Sequence, residues 1–271
     1  MKILHIISVV FIMAAIVSCG GDKSKEVSES DLMAAEDSIL QFKSFYKIPT
    51  PVELFTFMNQ NGAVFDNSLL NKPVNASKYL TTKSKALNFG IYAADMAYCV
   101  VFNQFQETFS YFNTNKKLAE ELELNQGFGE QIARRVQDNL YNIDSLSDIT
   151  ANSYWEACNF LEKQDKLELL TVILTGSWIE SLYLSINTVK KFSADNPIVV
   201  RISEQGILLD NLLEFINMKT PDAYPDLIEN LVNLRDTYDL LLTNDDNTVI
   251  TIEQFNQIKK QVNTVRNQFI Q

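Results

Sequence analysis

The 271-residue chain is acidic, with 34 Asp and Glu against 23 Lys and Arg for a net charge of −11, and it carries one histidine and three cysteines. That balance excludes a nucleic-acid partner, since phosphate binding needs a basic footprint and no Lys/Arg cluster interrupts the acidity. Gly and Pro number only 8 and 6. No Pro/Ser linker divides the middle, the pattern of one large domain.

Taken in chain order, the first element is an address. "MKILHIISVVFIMAAIVSCGG" has one Lys, an apolar run from Ile3 to Val17 and a small residue before Cys19, the parts of a secretory signal. The run is shorter than the ~20 residues that span a bilayer. Ile16-Val17-Ser18-Cys19 resembles the lipobox of bacterial lipoproteins. The resemblance implies cleavage after residue 18, lipidation of Cys19 and a membrane partner reached through that lipid. Gly20 after the Cys implies the outer membrane. Residues 19–29 then form the lipidated Cys and a flexible tether, and residues 30–271 a single all-helical domain. Removal of Lys2 and His5 with the signal leaves 22 Lys and Arg against 34 acids, a net charge of −12, and no histidine. His-based triads and imidazole zinc sites are thereby excluded from the mature chain, and no cofactor or metal motif is present.

Everything after residue 30 has helical period, and no alternating strand pattern persists. Helices are expected at 30–46 with the stripe Leu32, Ala35, Ile39, Phe42 and Tyr46, at 51–59, and from about 77 to 104. Further helices fall at 105–124, 129–143, from about Ser147 (a candidate cap), at 166–192, at 197–219, and in two closing segments, the last capped by Thr251. Short loops favour antiparallel neighbours. The fold class is therefore all-α: a single bundle of about ten antiparallel helices around two central ones, 86–102 and 167–189, apolar nearly all round. The last three helices are one-faced and belong outside. Cys99 and Cys158 lie in apolar helical pattern and read as buried thiols.

The central helices read "GIYAADMAY" and "GSWIESLY". Each has a Gly, an aromatic (Tyr92, Trp178), an acid (Asp95, Glu180) and a Tyr three residues on (Tyr98, Tyr183). A helix-interior Gly costs roughly 1 kcal/mol relative to Ala, so one in each helix points to close backbone approach. Asp95 shares the strip of Leu87, Ile91, Tyr98 and Phe102 and needs a partner there. Two readings stand open. One is internal: tyrosine hydroxyls plus Lys85, Arg134, Arg135 or Arg201. The other is a pocket in which Asp95, Glu180, Tyr92, Tyr98, Trp178 and Tyr183 face a small polar or cationic ligand. A two-carboxylate hydrolase requires both acids in one open cleft about 5–10 Å apart.

"KALNFGIYAADMAY" and "GSWIESLYL", behind a lipobox, resemble uncharacterised all-helical envelope lipoproteins of Bacteroidetes-type bacteria over most of the mature chain. Ala94 and Ser181 stand where those relatives often have glycines. The resemblance implies location and fold and carries no activity. The expected function is a non-enzymatic binding or scaffold role at the cell envelope, with an envelope protein or a small ligand as partner.

Overall fold

The computed structural model describes residues 50–124, 130–139, 141–245 and 249–271. The expected signal, Cys19, tether and helix at 30–46 lie outside the described residues. Ten α-helices form, and no strand occurs among the described residues. They are α1 (Pro51–Gln60), α2 (Thr82–Val101), α3 (Phe105–Glu121), α4 (Glu130–Asp138) and α5 (Ile143–Lys163), then α6 (Leu167–Thr188), α7 (Pro197–Ser203), α8 (Gln205–Lys219), α9 (Pro225–Asp239) and α10 (Ile252–Phe269).

Local chemistry sets their ends. Thr50 caps α1, with Pro51 in its first turn, and Asn61-Gly62 stops it, Gly62 at φ +82°. The second helix starts later than the apolar pattern suggests. Pro73–Lys78 is a 3-10 turn, and the reciprocal Thr81/Ser84 capping box places the start at Thr82. Asn142, not Ser147, caps α5 through the Ser145 N–H. Thr251 and Gln254 form a capping box on α10, as the sequence indicates. The expected single helix at 197–219 is two: the break falls at Glu204, beside Gly206, which lies against the Tyr238 ring.

The core is built around α2 and α6. Every residue of α2 from Ala86 to Val101 is buried, as is nearly all of α6 from Leu170 onward. By length and mean hydropathy of 1.5, α6 would suffice to cross a membrane, but 89% of that window is buried inside the protein. Around this pair, α1, α3 and α5 pack on α2, while α10 and α8 pack on α6.

The two central helices cross through their glycines. A Cβ on Gly90 would overlap the Ile173 carbonyl oxygen and sit 2.8 Å from the Ser177 nitrogen. A Cβ on Gly176 would overlap the Leu87 carbonyl oxygen and sit 3.0 Å from its carbon. The relation is reciprocal: each glycine meets the residue three before the other. Asp95 and Glu180, five and four residues past those glycines, also interact. Both helices therefore run the same way from the crossing, and the expected antiparallel arrangement does not extend to the central pair. The physical reason is the connection between them, which is no short loop but the whole of α3, α4 and α5. Parallel neighbours need a long return path of this kind.

Candidate functional site

The partner demanded by the central acids comes from the last helix. Arg266, in the final turn of α10, donates from Nε to Glu180 Oε2 at 2.9 Å and from Nη2 to Glu180 Oε1 at 3.0 Å. Its Nη2 also donates to the Leu69 carbonyl at 3.1 Å. The guanidinium carbon lies 4.4 Å from the Tyr183 ring centroid, a cation–π contact that closes its remaining face. Arg266 is 5% exposed and Glu180 0%. A bidentate fork of this kind is the geometry in which Arg outperforms Lys.

Asp95, also 0% exposed, completes the cluster. Its Oδ2 accepts the Asn71 backbone N–H at 3.2 Å. Its carboxyl is held well above the usual carboxylate range, first by burial and then by the charge and hydrogen bonding of Glu180, against the opposing pull of Arg266. Two buried acids share one cation, so the second keeps its proton. A proton on Asp95 also gives Oδ1 something to donate, and no described group donates to that atom. The cluster is then electrically neutral: one ion pair and one neutral acid.

A polar sheath ties loop 62–80 and the C-terminus to this centre. Asn71 Nδ2 donates to Tyr79 Oη at 3.0 Å and to Asn88 Oδ1 at 3.1 Å. Asn88 Nδ2 donates to the Phe269 carbonyl at 2.8 Å. Tyr92 Oη donates to the Lys72 carbonyl at 3.0 Å, and Tyr98 Oη accepts from the Asp66 N–H at 3.1 Å while facing the Val64 carbonyl at 3.3 Å. Hydrogen-bonded polar side chains thus take the place of apolar packing beneath an irregular loop.

Of the six residues expected to share a site, Asp95, Glu180 and Tyr183 meet around Arg266, and Tyr92 borders them. Tyr98 is turned to the loop. Trp178 is on another face of α6, because a residue two positions from Glu180 cannot share its side of a helix. The expected cations are engaged elsewhere or lie on the surface. Lys85 pairs with Glu121 at 2.8 Å, Arg201 pairs with Glu204 at 3.3 Å, and Arg134 and Arg135 are exposed on α4. Asn71, Tyr79, Asn88 and Arg266 were not anticipated. Asn88 carries the same signal as Asp95, a polar residue inside an apolar run. Cys99 and Cys158 are buried and free, and burial raises both thiols.

The protonated state of Asp95 has a consequence that can be measured. Unfolded, the group ionises above about pH 4; folded, it stays protonated to higher pH. The native state therefore binds more protons in that window, and stability falls as pH rises through it. Asp95→Asn supplies a neutral isostere that still donates to Glu180. Its urea midpoint relative to wild type is expected to climb as pH rises above about 4, where the unfolded carboxyl ionises and the folded one does not. A difference that does not change with pH would rule out the neutral acid.

Cavities lie away from this centre. One of about 720 Å³ opens between α1, α6 and the α7–α8 break, with Phe57, Tyr154, Leu174, Trp178, Ile207 and Leu208 among its walls. Glu53, Arg201 and Glu204 also line it, and the Arg201 guanidinium stacks 4.5 Å from the Phe57 ring centroid. Another, of about 600 Å³, is walled by charged residues at the helix ends near Glu123, Asp165 and Tyr224. Neither Asp95 nor Glu180 lines either cavity. A cleft in which both acids reach substrate, as two-carboxylate hydrolysis requires, does not fit this pair. No group of three or more His, Cys, Asp or Glu arranged to hold a metal occurs among the described residues.

Comparison with known proteins adds no relative: no family model, no curated protein and no solved structure matches the chain.

Proposed function

We propose that this chain is a lipid-anchored cell-envelope protein with a non-enzymatic binding role, and that its ligand enters the cavity between α1, α6 and the α7–α8 break. One observation carries the choice of site. Asp95 and Glu180 are buried and answered by Arg266, Asn71 and each other. The 720 Å³ cavity, by contrast, is bounded by aromatic and aliphatic side chains with a few charged groups. Its size and lining match those of small-molecule sites, roughly 300–1,000 Å³ and mostly apolar. Of the residues first assigned to a ligand, Trp178 alone belongs to this cavity, and the acids belong to the scaffold that holds its walls.

The anchor is part of the proposal and rests on Ile16-Val17-Ser18-Cys19 and on the likeness to Bacteroidetes-type lipoproteins. Several acyl chains on Cys19 would hold the protein more firmly than the marginal binding of a single chain. Expressed in a Gram-negative host with radiolabelled palmitate, the chain is expected to carry label and sediment with membranes, and Cys19→Ser to lose both. A thermal-shift screen of the mature chain against small apolar and polar compounds tests the binding role. Stabilisation by some compound, abolished by substitution at Ile207 or Leu208, is the expected result. A screen in which nothing shifts the melting temperature would remove the binding role.

A further inference from the structure

We infer that the outer face of loop 62–80 docks on a bilayer containing anionic phospholipid, with Val74 and Leu80 entering the headgroup layer and Lys72 and Lys78 pairing with phosphates. The inference rests on the envelope location proposed above only for the membrane it places nearby, and it is independent of the cavity. About thirty residues separate Cys19 from Thr50, so a lipid on Cys19 does not by itself decide which face of the body turns to the membrane.

The loop is built inside out. Asn71 and Tyr79 are 1% and 2% exposed and hydrogen-bonded to each other, while Val74 is 75% exposed and Leu80 81%. The space beneath is already taken by polar groups. Tyr92 Oη holds the Lys72 carbonyl, and Asn71 is bonded to Asp95 and Asn88 as well as Tyr79. Pro73–Lys78 is a 3-10 turn, with Lys72 and Lys78 at its two ends and Val74 between them. Clamped in this shape, the face loses little conformational freedom on docking.

Charge selects what covers it. Among the described residues, the six most exposed large apolar side chains are Val64, Val74, Leu80, Tyr141, Ile207 and Leu242. Four of them have an acid within three residues along the chain: Asp66 near Val64, Asp144 near Tyr141, Glu204 near Ile207 and Asp245 near Leu242. Val74 and Leu80 have none. Residues 67–94 contain no acid, and the nearest charges to these two are Lys72 and Lys78. Both lysines are exposed and have no ion-pair partner among the described residues. Lys83 and Lys85, the next two along, pair with Asp226 and Glu121 and so neutralise acids that approach from α9 and α3. On a chain of net charge −11, a face that is both aliphatic and cationic is complementary to anionic headgroups. The aliphatic side chains add apolar area buried at the headgroup boundary.

The test uses the mature chain with an N-terminal hexahistidine in place of Cys19, held on vesicles by a nickel-chelating lipid, so that the tether does not depend on acylation. The mature chain has no histidine of its own. Val74→Cys carries a nitrobenzoxadiazole fluorophore; Cys99 and Cys158 are buried and do not compete for the label. On vesicles containing phosphatidylglycerol, its emission is expected to shift to the blue, rise about threefold and be quenched by spin-labelled lipid. The same label at Leu242→Cys, beyond the end of α9 opposite the Lys83–Asp226 pair, is expected to emit as in solution. Lys72→Gln with Lys78→Gln should lower the ratio of docked to undocked protein about twentyfold, near fivefold for each charge. Leu80→Ser should lower it about tenfold. These positions are exposed, so the melting temperature should stay at the wild-type value in every variant. Unchanged emission at Val74→Cys, in protein that sediments with the vesicles, would overturn the docking and leave lipidation of Cys19 untouched. Equal rises at the two labelled positions would overturn the assignment to this loop. A rise that survives loss of both lysines, or is as large on phosphatidylcholine alone, would overturn the role of anionic lipid. Failure of palmitate labelling, with docking intact, would remove only the anchor.

Discussion

Replacing Arg266 with Met should destabilise the fold by about 3–5 kcal/mol, the range observed when one member of a buried ion pair is removed. The side chain sits in the last turn of the last helix, where substitutions are usually tolerated. Here it donates twice to Glu180, once to the Leu69 carbonyl, and lies on the face of Tyr183. Methionine keeps most of the stem volume, so the loss reports charge and hydrogen bonding rather than a void. What remains is a carboxylate 0% exposed with no cation, next to a second buried acid. Arg266→Lys should recover little of the loss, since an ammonium cannot reproduce the two-pronged contact. The informative variant is the double one. With Glu180→Leu added to Arg266→Met no charge is left uncompensated, and much of the stability should return, short of about 1–3 kcal/mol for the orphaned Leu69 carbonyl. Glu180→Gln alone should cost less than Arg266→Met, because Asp95, freed from its like-charged neighbour, can ionise and take over the pairing with Arg266. Urea unfolding followed by circular dichroism measures all four. A loss under about 1 kcal/mol for Arg266→Met, or strict additivity in the double variant, would mean that the cluster is not the coupled unit described here.

How far the sequence disclosed this arrangement depends on the range of each interaction. The central helices were legible because their apolarity is continuous and local, and Asp95 stood out as a carboxylate in need of a partner. The partner was not legible. Arg266 is far along the chain, on a helix whose polar face marked it as peripheral. Four nearer or more conspicuous cations drew attention instead. A trace of the answer existed in the spacing: Arg266 falls four residues after Val262 and three before Phe269, both buried, which puts a cation in the apolar stripe of α10. Grouping Trp178 with Glu180 mistook proximity in sequence for proximity on a helix surface. The direction of the central pair was misjudged for a different reason. Loop length speaks only for consecutive helices, and α2 and α6 are separated by three others. The break between α7 and α8 likewise has no strong breaker in its sequence apart from Gly206, one glycine among several that helices tolerate.

The glycine crossing makes the other large prediction. On intrinsic propensity, alanine in place of a helix-interior glycine stabilises by up to about 1 kcal/mol. At Gly90 and Gly176 the sign should reverse. An added methyl at Gly90 would run into the Ile173 carbonyl and the Ser177 nitrogen, and at Gly176 into the carbonyl of Leu87. These are backbone atoms of a buried helix, so relief cannot come from a rotamer change. The helices must separate, and with them the neighbouring Asp95–Glu180–Arg266 cluster, which the crossing holds in register. The expected cost is about 3 kcal/mol or more for either variant, at the upper end for overpacking. Gly206→Ala is the internal control. There the new methyl meets the Tyr238 side chain at 3.0 Å, an obstacle that can shift, so the change should stay within about 1 kcal/mol of zero. Reciprocity supplies a second check. If Gly90 and Gly176 guard one contact, the double alanine variant should cost less than the sum of the singles, because helices already pushed apart by the first methyl accommodate the second. Additive losses, or an alanine at either position that leaves the denaturation midpoint in place, would show that the two backbones do not touch where these glycines lie.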